Sequence, residues 1–183
     1  MMRRHDEISA QRLAIGLMIL GILARLVPHP WNATPLTAIA LLGTTYLGSR
    51  WAVLLPVGIL MVSDLFLGLH ELVPFTWGSM ALTALLGWWV RRQPTPSRIM
   101  SASLAGSTLF FLVTNLGVWL FADGGTMYLK TWAGLWRCYL AAVPFYRSAL
   151  AGDLMYTAVL FSLYALATRH VLEVAARSSS SRS

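Results

Sequence analysis

The run IMSASLAGSTLFFLVTNLGVWLF, Ile99–Phe121, decides the fold. Its 23 residues carry no charged side chain. At 1.5 Å rise per residue a helix of that length covers about 34 Å, enough to cross the ~30 Å hydrocarbon core of a bilayer. Pro94, Pro96 and Arg98 bound it on one side and Gly124-Gly125 on the other, so the stretch predicts one uninterrupted transmembrane helix.

The rest of the chain repeats the pattern. Only 11% of the 183 residues are charged, less than half the roughly 25% of a soluble domain. Apolar runs bounded by charge, Pro or Gly predict six spans at about 10–27, 34–48, 51–70, 73–90, 99–121 and 148–169. The fold expected is an all-α membrane bundle in a single domain, 1–177, with a polar tail, 178–183, read as disordered. The aromatic and basic stretch Gly124–Arg147 suits an interfacial helix, a lid over the bundle mouth or a further short span. Arg3 and Arg4 ahead of Leu13–Ala24 resemble a signal peptide, but the run ends without a small-x-small cleavage pattern and reads as a retained first helix.

The net charge of +7 does not point to nucleic acid. The basic residues sit in short clusters between apolar runs, the pattern of topology signals rather than of one solvated basic face. With both termini inside, 10 of the 14 basic residues fall on the cytoplasmic side, and the positive-inside bias therefore selects N-in and C-in. The lone Cys138 excludes an internal disulfide framework and a multi-cysteine zinc site.

That topology gives the polar residues a common depth. Asp64, Asn115 and Asp153 lie five or six residues from the outer ends of spans 3, 5 and 6, roughly 8–9 Å below the outer surface. Arg25, His29 and Asn32 gather at the outer end of span 1, and His70 and Glu71 close span 3. Ionisable groups inside a membrane are costly and face a bundle interior or a wet cavity. Two readings follow: ion pairs of Arg25 or Arg147 with Asp64 or Asp153, or a pocket open to the outside. No zincin, nucleophile-elbow or Walker motif is present. An enzyme is not expected, and no catalytic residue is assigned. The rival reading is an intramembrane enzyme using Asp64, His70, Glu71 or Asp153 on a hydrophobic or lipid-linked substrate.

Four spaced motifs add a resemblance over residues 12–170. They are Arg25-Leu26-Val27-Pro28-His29-Pro30-x-Asn32-x-Thr34-Pro35, Ser63-Asp64-x-x-x-Gly68-x-His70, Thr114-Asn115-x-Gly117-x-Trp119, and Cys138-Tyr139-x-Ala141-Ala142-x-Pro144-Phe145 continuing to Gly152-Asp153. Together they resemble the substrate-binding S components of energy-coupling-factor (ECF) transporters, above all the BtuM-type vitamin B12 transporters. The resemblance implies a six-helix S-component fold with an extracytoplasmic pocket for a small organic nutrient, cobalamin first, and no intrinsic cofactor. It implies a substrate site among Arg25, His29, Asn32, Asp64, His70, Asn115, Tyr139, Phe145 and Asp153. It also implies either an ECF module, a T subunit with two ATPases, that packs on span 1 through Ala10 and Ala14, or, as in solitary members, uptake without a dedicated module. The cobalamin branch uses a cysteine near the pocket as a cobalt ligand. Here span 4 reads Trp77-Gly78-Ser79-Met80-Ala81 with no thiol; either His29, His70 or Met80 ligates cobalt, histidine being preferred, or no side chain does, or the substrate is not cobalamin.

Overall fold

The computed structural model describes residues 4–26, 34–47 and 49–180. Among them every regular element is a helix: α1 (Arg4–Leu26), α2 (Leu36–Leu42), α3 (Ser49–Leu67), α4 (Val73–Arg92), α5 (Pro96–Phe121) and α6 (Trp132–Ser180), with α2 running on as a π-helical segment, Gly43–Leu47. The boundaries follow from local chemistry. Proline occupies the first turn of both α4 and α5, where a missing N–H leaves no bond unmade. The Thr95 hydroxyl caps α5 by accepting the Arg98 N–H at 3.4 Å. Gly68 ends α3 with φ at +97°, its N–H bonded to the Asp64 carbonyl at 2.8 Å, a left-handed residue that glycine adopts without strain.

The last helix departs from expectation. The span expected at 148–169 is part of a longer helix: α6 starts at Trp132 and runs for 49 residues. The stretch read as an interfacial helix, a lid or a further span is therefore helical from Trp132 onward. The connection from α5 shrinks to residues 122–131, where Asp123, Gly124 and Gly125 all take positive φ. Pro144 lies inside α6. A proline there removes one N–H and crowds one carbonyl, which bundle neighbours compensate. The tail is corrected too, since Ser178–Ser180 belong to α6. No glycine or proline separates Arg169 from Ser180, and most residues there tolerate a helix.

Two segments, Pro96–Phe121 and Trp132–Thr168, are long and apolar enough to cross a membrane; shorter apolar helical stretches run over Ile15–Leu26, Leu36–Leu47 and Val53–Leu67. The two long segments leave much of their apolar surface uncovered: Leu112, Trp132, Trp136, Phe145 and Leu166 are all exposed.

All seven residues of α2 are buried, and α3, α4, α5 and α6 pack around it. Its small side chains explain the close approach. A Cβ on Gly87 would stand 2.5 Å from the Thr44 Cβ, and one on Gly106 would stand 3.4 Å from the Thr37 Cγ2. The threonine hydroxyls turn back onto backbone carbonyls, Thr44 to Ala40 at 2.9 Å and Thr45 to Gly87 at 3.4 Å. Toward the C-terminal end of α2 the bundle is closed by Leu47, Val90, Ile99, Ala102 and Phe161, and by the stacked rings of Tyr46 and Tyr164, 4.1 Å apart. The twelve residues of α2 and its extension reach at most about 18 Å. They fill one end of the bundle and leave space at the other.

Candidate functional site

That space holds two adjoining chambers. The first, about 270 Å³, is bounded by Arg25 of α1, Leu36 and Thr37 of α2, Leu67 of α3, Met80 of α4, Phe110 of α5, and Ala149 and Asp153 of α6. The second, about 340 Å³, lies between α5 and α6, with Ser107, Phe110, Phe111, Thr114 and Asn115 facing Ala142, Phe145, Tyr146, Ala149 and Asp153. Phe110, Ala149 and Asp153 belong to both walls.

Asp153 stands at the junction. It is 9% exposed, and its Oδ2 accepts the Ser107 hydroxyl at 2.5 Å. One turn earlier on α5, Ser103 shares a 2.9 Å hydrogen bond with Thr157, one turn later on α6. This hydroxyl pair fixes the two helices beside the carboxylate. Among the described residues Asp153 has no ion-pair partner, since the one salt bridge there joins Arg25 to Asp64.

Asp64 is used differently. Its Oδ1 meets the Arg25 Nη2 at 2.6 Å and its Oδ2 accepts the Trp77 indole N–H at 2.8 Å. The carboxylate is 1% exposed and ties α1, α3 and α4 together behind the first chamber rather than lining it. Arg25 presents the rest of its guanidinium to that wall, with Nε buried and without a hydrogen-bond partner.

The other expected site residues divide. Asn115 and Phe145 line the second chamber, and the Asn115 Nδ2 donates to the Phe111 carbonyl at 2.8 Å. Tyr139 lies outside both chambers, in an apolar groove of about 500 Å³ with Trp132, Leu135 and Trp136, its hydroxyl on the Leu112 carbonyl at 2.7 Å. His70 is exposed in the bend after α3 and its Nδ1 accepts the Leu72 N–H at 3.2 Å, so it faces neither chamber. Met80 is buried and lines the first. His29 and Asn32 lie outside the described residues, as do the side chains of Ala10 and Ala14. Cys138 is buried, its Sγ bonded to the Asn115 carbonyl at 3.4 Å. Among the described residues no group of three or more His, Cys, Asp or Glu is placed to hold a metal.

Reading the sequence missed α2 as a cavity wall, together with Thr37, Ser107, Phe110 and Phe111. The signal was present as spacing. Ser103, Ser107, Phe110 and Thr114 recur every three or four residues on α5, as do Ala142, Phe145, Ala149 and Asp153 on α6, the repeat of one helix face.

Neither the proteins of curated function nor the solved structures include a match to this chain. Residues 7–177 match the model of a family of unknown function (DUF6580), so that nearly the whole chain is covered and the protein belongs to that family.

Proposed function

We propose that the protein is a multi-pass protein of the bacterial cytoplasmic membrane, N-in and C-in, that captures a small organic nutrient from outside for uptake. The observation that carries this reading is the one-ended cavity. The chamber walls are weighted toward the bundle end opposite Arg91, Arg92 and Arg98 and reach as deep as Ser107 near the middle of α5, and the positive-inside bias assigns those arginines to the cytoplasm. The other end is closed by apolar packing and the Tyr46–Tyr164 stack. A ligand therefore enters from the extracytoplasmic side. Apolar residues exposed along α5 and α6 support a lipid setting, because a surface of that kind is costly in water.

The chambers sit at the low end of the ~300–1,000 Å³ typical of small-molecule sites. A vitamin-sized ligand fits them as they stand. A corrinoid, the first ligand suggested by the resemblance to BtuM-type transporters, is larger and requires the outer end to widen. The chain carries no nucleotide-binding motif, so an ATP-driven step must come from a partner such as an ECF module. Ile15, Ile19 and Leu23 form an exposed apolar stripe on α1 where a T subunit would dock.

Mass spectrometry of small molecules retained by protein purified from native membranes, with uptake of the same compound into intact cells, tests the reading. A retained nutrient whose uptake depends on this protein is expected. A retained lipid that the protein chemically converts would overturn transport in favour of an intramembrane enzyme.

A further inference from the structure

We infer that the cavity selects a small organic cation, an apolar ring-bearing body with one protonated nitrogen held by Asp153. The inference rests on the reading of the cavity as a ligand site. Two guanidinium or carboxylate groups line the chambers, Arg25 and Asp153. Arg25 is already matched by Asp64 at 2.6 Å. The remaining walls contribute Thr37 from α2, Met80 from α4, and Ser107 and Asn115 from α5, none of them charged. Among the described residues Asp153 therefore leaves one uncompensated negative charge, 9% exposed, at the point where the chambers meet.

The carboxylate is also preset. Ser107 donates to Oδ2 at 2.5 Å and the Thr37 hydroxyl also bonds the carboxylate, which fixes the head. A carboxylate has about four lone-pair sites, so two hydroxyl donors leave acceptor capacity for a ligand. A charge-assisted bond from an ammonium offsets the cost of burying the acid. A neutral ligand of the same shape leaves the acid without its counter-charge, and an anion is repelled.

The second chamber supplies the complementary apolar part. Phe110, Phe111, Phe145 and Tyr146 line it, with the Phe111 and Tyr146 rings 4.5 Å apart. Aromatic walls bury a flat ring, and their faces attract a cation. Negative charge at one end and aromatic surface at the other fit an arylalkyl ammonium shape.

The test compares three probes on the full chain in detergent by isothermal titration calorimetry: 2-phenylethylammonium, neutral 2-phenylethanol and anionic phenylacetate. The ammonium should bind about tenfold or more tighter than the alcohol, with the carboxylate weakest. Asp153→Asn should abolish the preference at an unchanged melting profile. If that variant does not fold, the ranking on the unaltered protein decides alone. Equal affinity for ammonium and alcohol, preference for the anion, or no binding of the ammonium overturns the inference. Ammonium binding with no protein-dependent uptake of labelled 2-phenylethylammonium into intact cells, where any partner is present, upholds it and counts against the transport reading.

Discussion

At residue scale the two buried acids show what a carboxylate costs in different company. Asp64 has a guanidinium and an indole N–H as partners, and removing one partner of such a buried pair costs about 3–5 kcal/mol. Arg25→Leu should therefore lower the unfolding midpoint in a detergent titration steeply. Arg25→Leu with Asp64→Asn should recover much of the loss, because no charge is then stranded; a double variant as weak as the summed singles would mean the pair does not interact. Cys138 gives a second prediction. It is 1% exposed and lines neither chamber, so cyanocobalamin mixed with the protein should keep its cyanide. If a corrinoid does bind, Met80 is the one described candidate cobalt ligand on the cavity wall. A decyanated, thiolate-type visible spectrum that Cys138→Ser removes would contradict this.

At the scale of elements, close helix approach sets which glycines matter. Gly87→Ala must displace Thr44, whose Cβ lies 2.5 Å from the new atom, and overpacking of this kind costs about 1–3 kcal/mol. Gly16→Ala meets nothing within 4 Å and should be neutral, or stabilise α1 by about 0.5–1 kcal/mol through helix propensity. Thermal melts of both variants check the contrast, and equal effects would refute the packing argument. Helices such as α4 and α5 were legible because their signals are local: an apolar run, a proline in the first turn, a charged end. The start of α6 was not, since Pro144 and the charges at Arg137 and Arg147 look like punctuation until α5 is seen beside them. The cavity was legible in depth but not in rotation. Asp64 and Asp153 were placed at one level by counting residues, yet which faces the void depends on how α3 and α6 turn about their axes. Ser107 was passed over because a hydroxyl is common in any apolar helix and becomes informative only beside Asp153.

At the scale of the whole molecule, the proposed orientation makes a direct claim about accessibility. Met127 is exposed in the connection between α5 and α6, and Gln93 is exposed between α4 and α5. In a Cys138→Ser background, Met127→Cys should react with an impermeant thiol reagent on intact cells, and Gln93→Cys only after permeabilisation. The opposite pattern would invert the topology and open the chambers to the cytoplasm. The stack of Tyr46 on Tyr164, with Phe161 beside it, has a consequence for delivery. Those rings join the central helix to α6 across the sealed floor, so no side-chain rotation alone opens a way through; the scaffold itself has to part. Capture and discharge are then separable events, and a short covalent tether between positions 46 and 164 should yield a protein that still loads from outside but never empties inward, its bound ligand remaining exchangeable only with the medium from which it came.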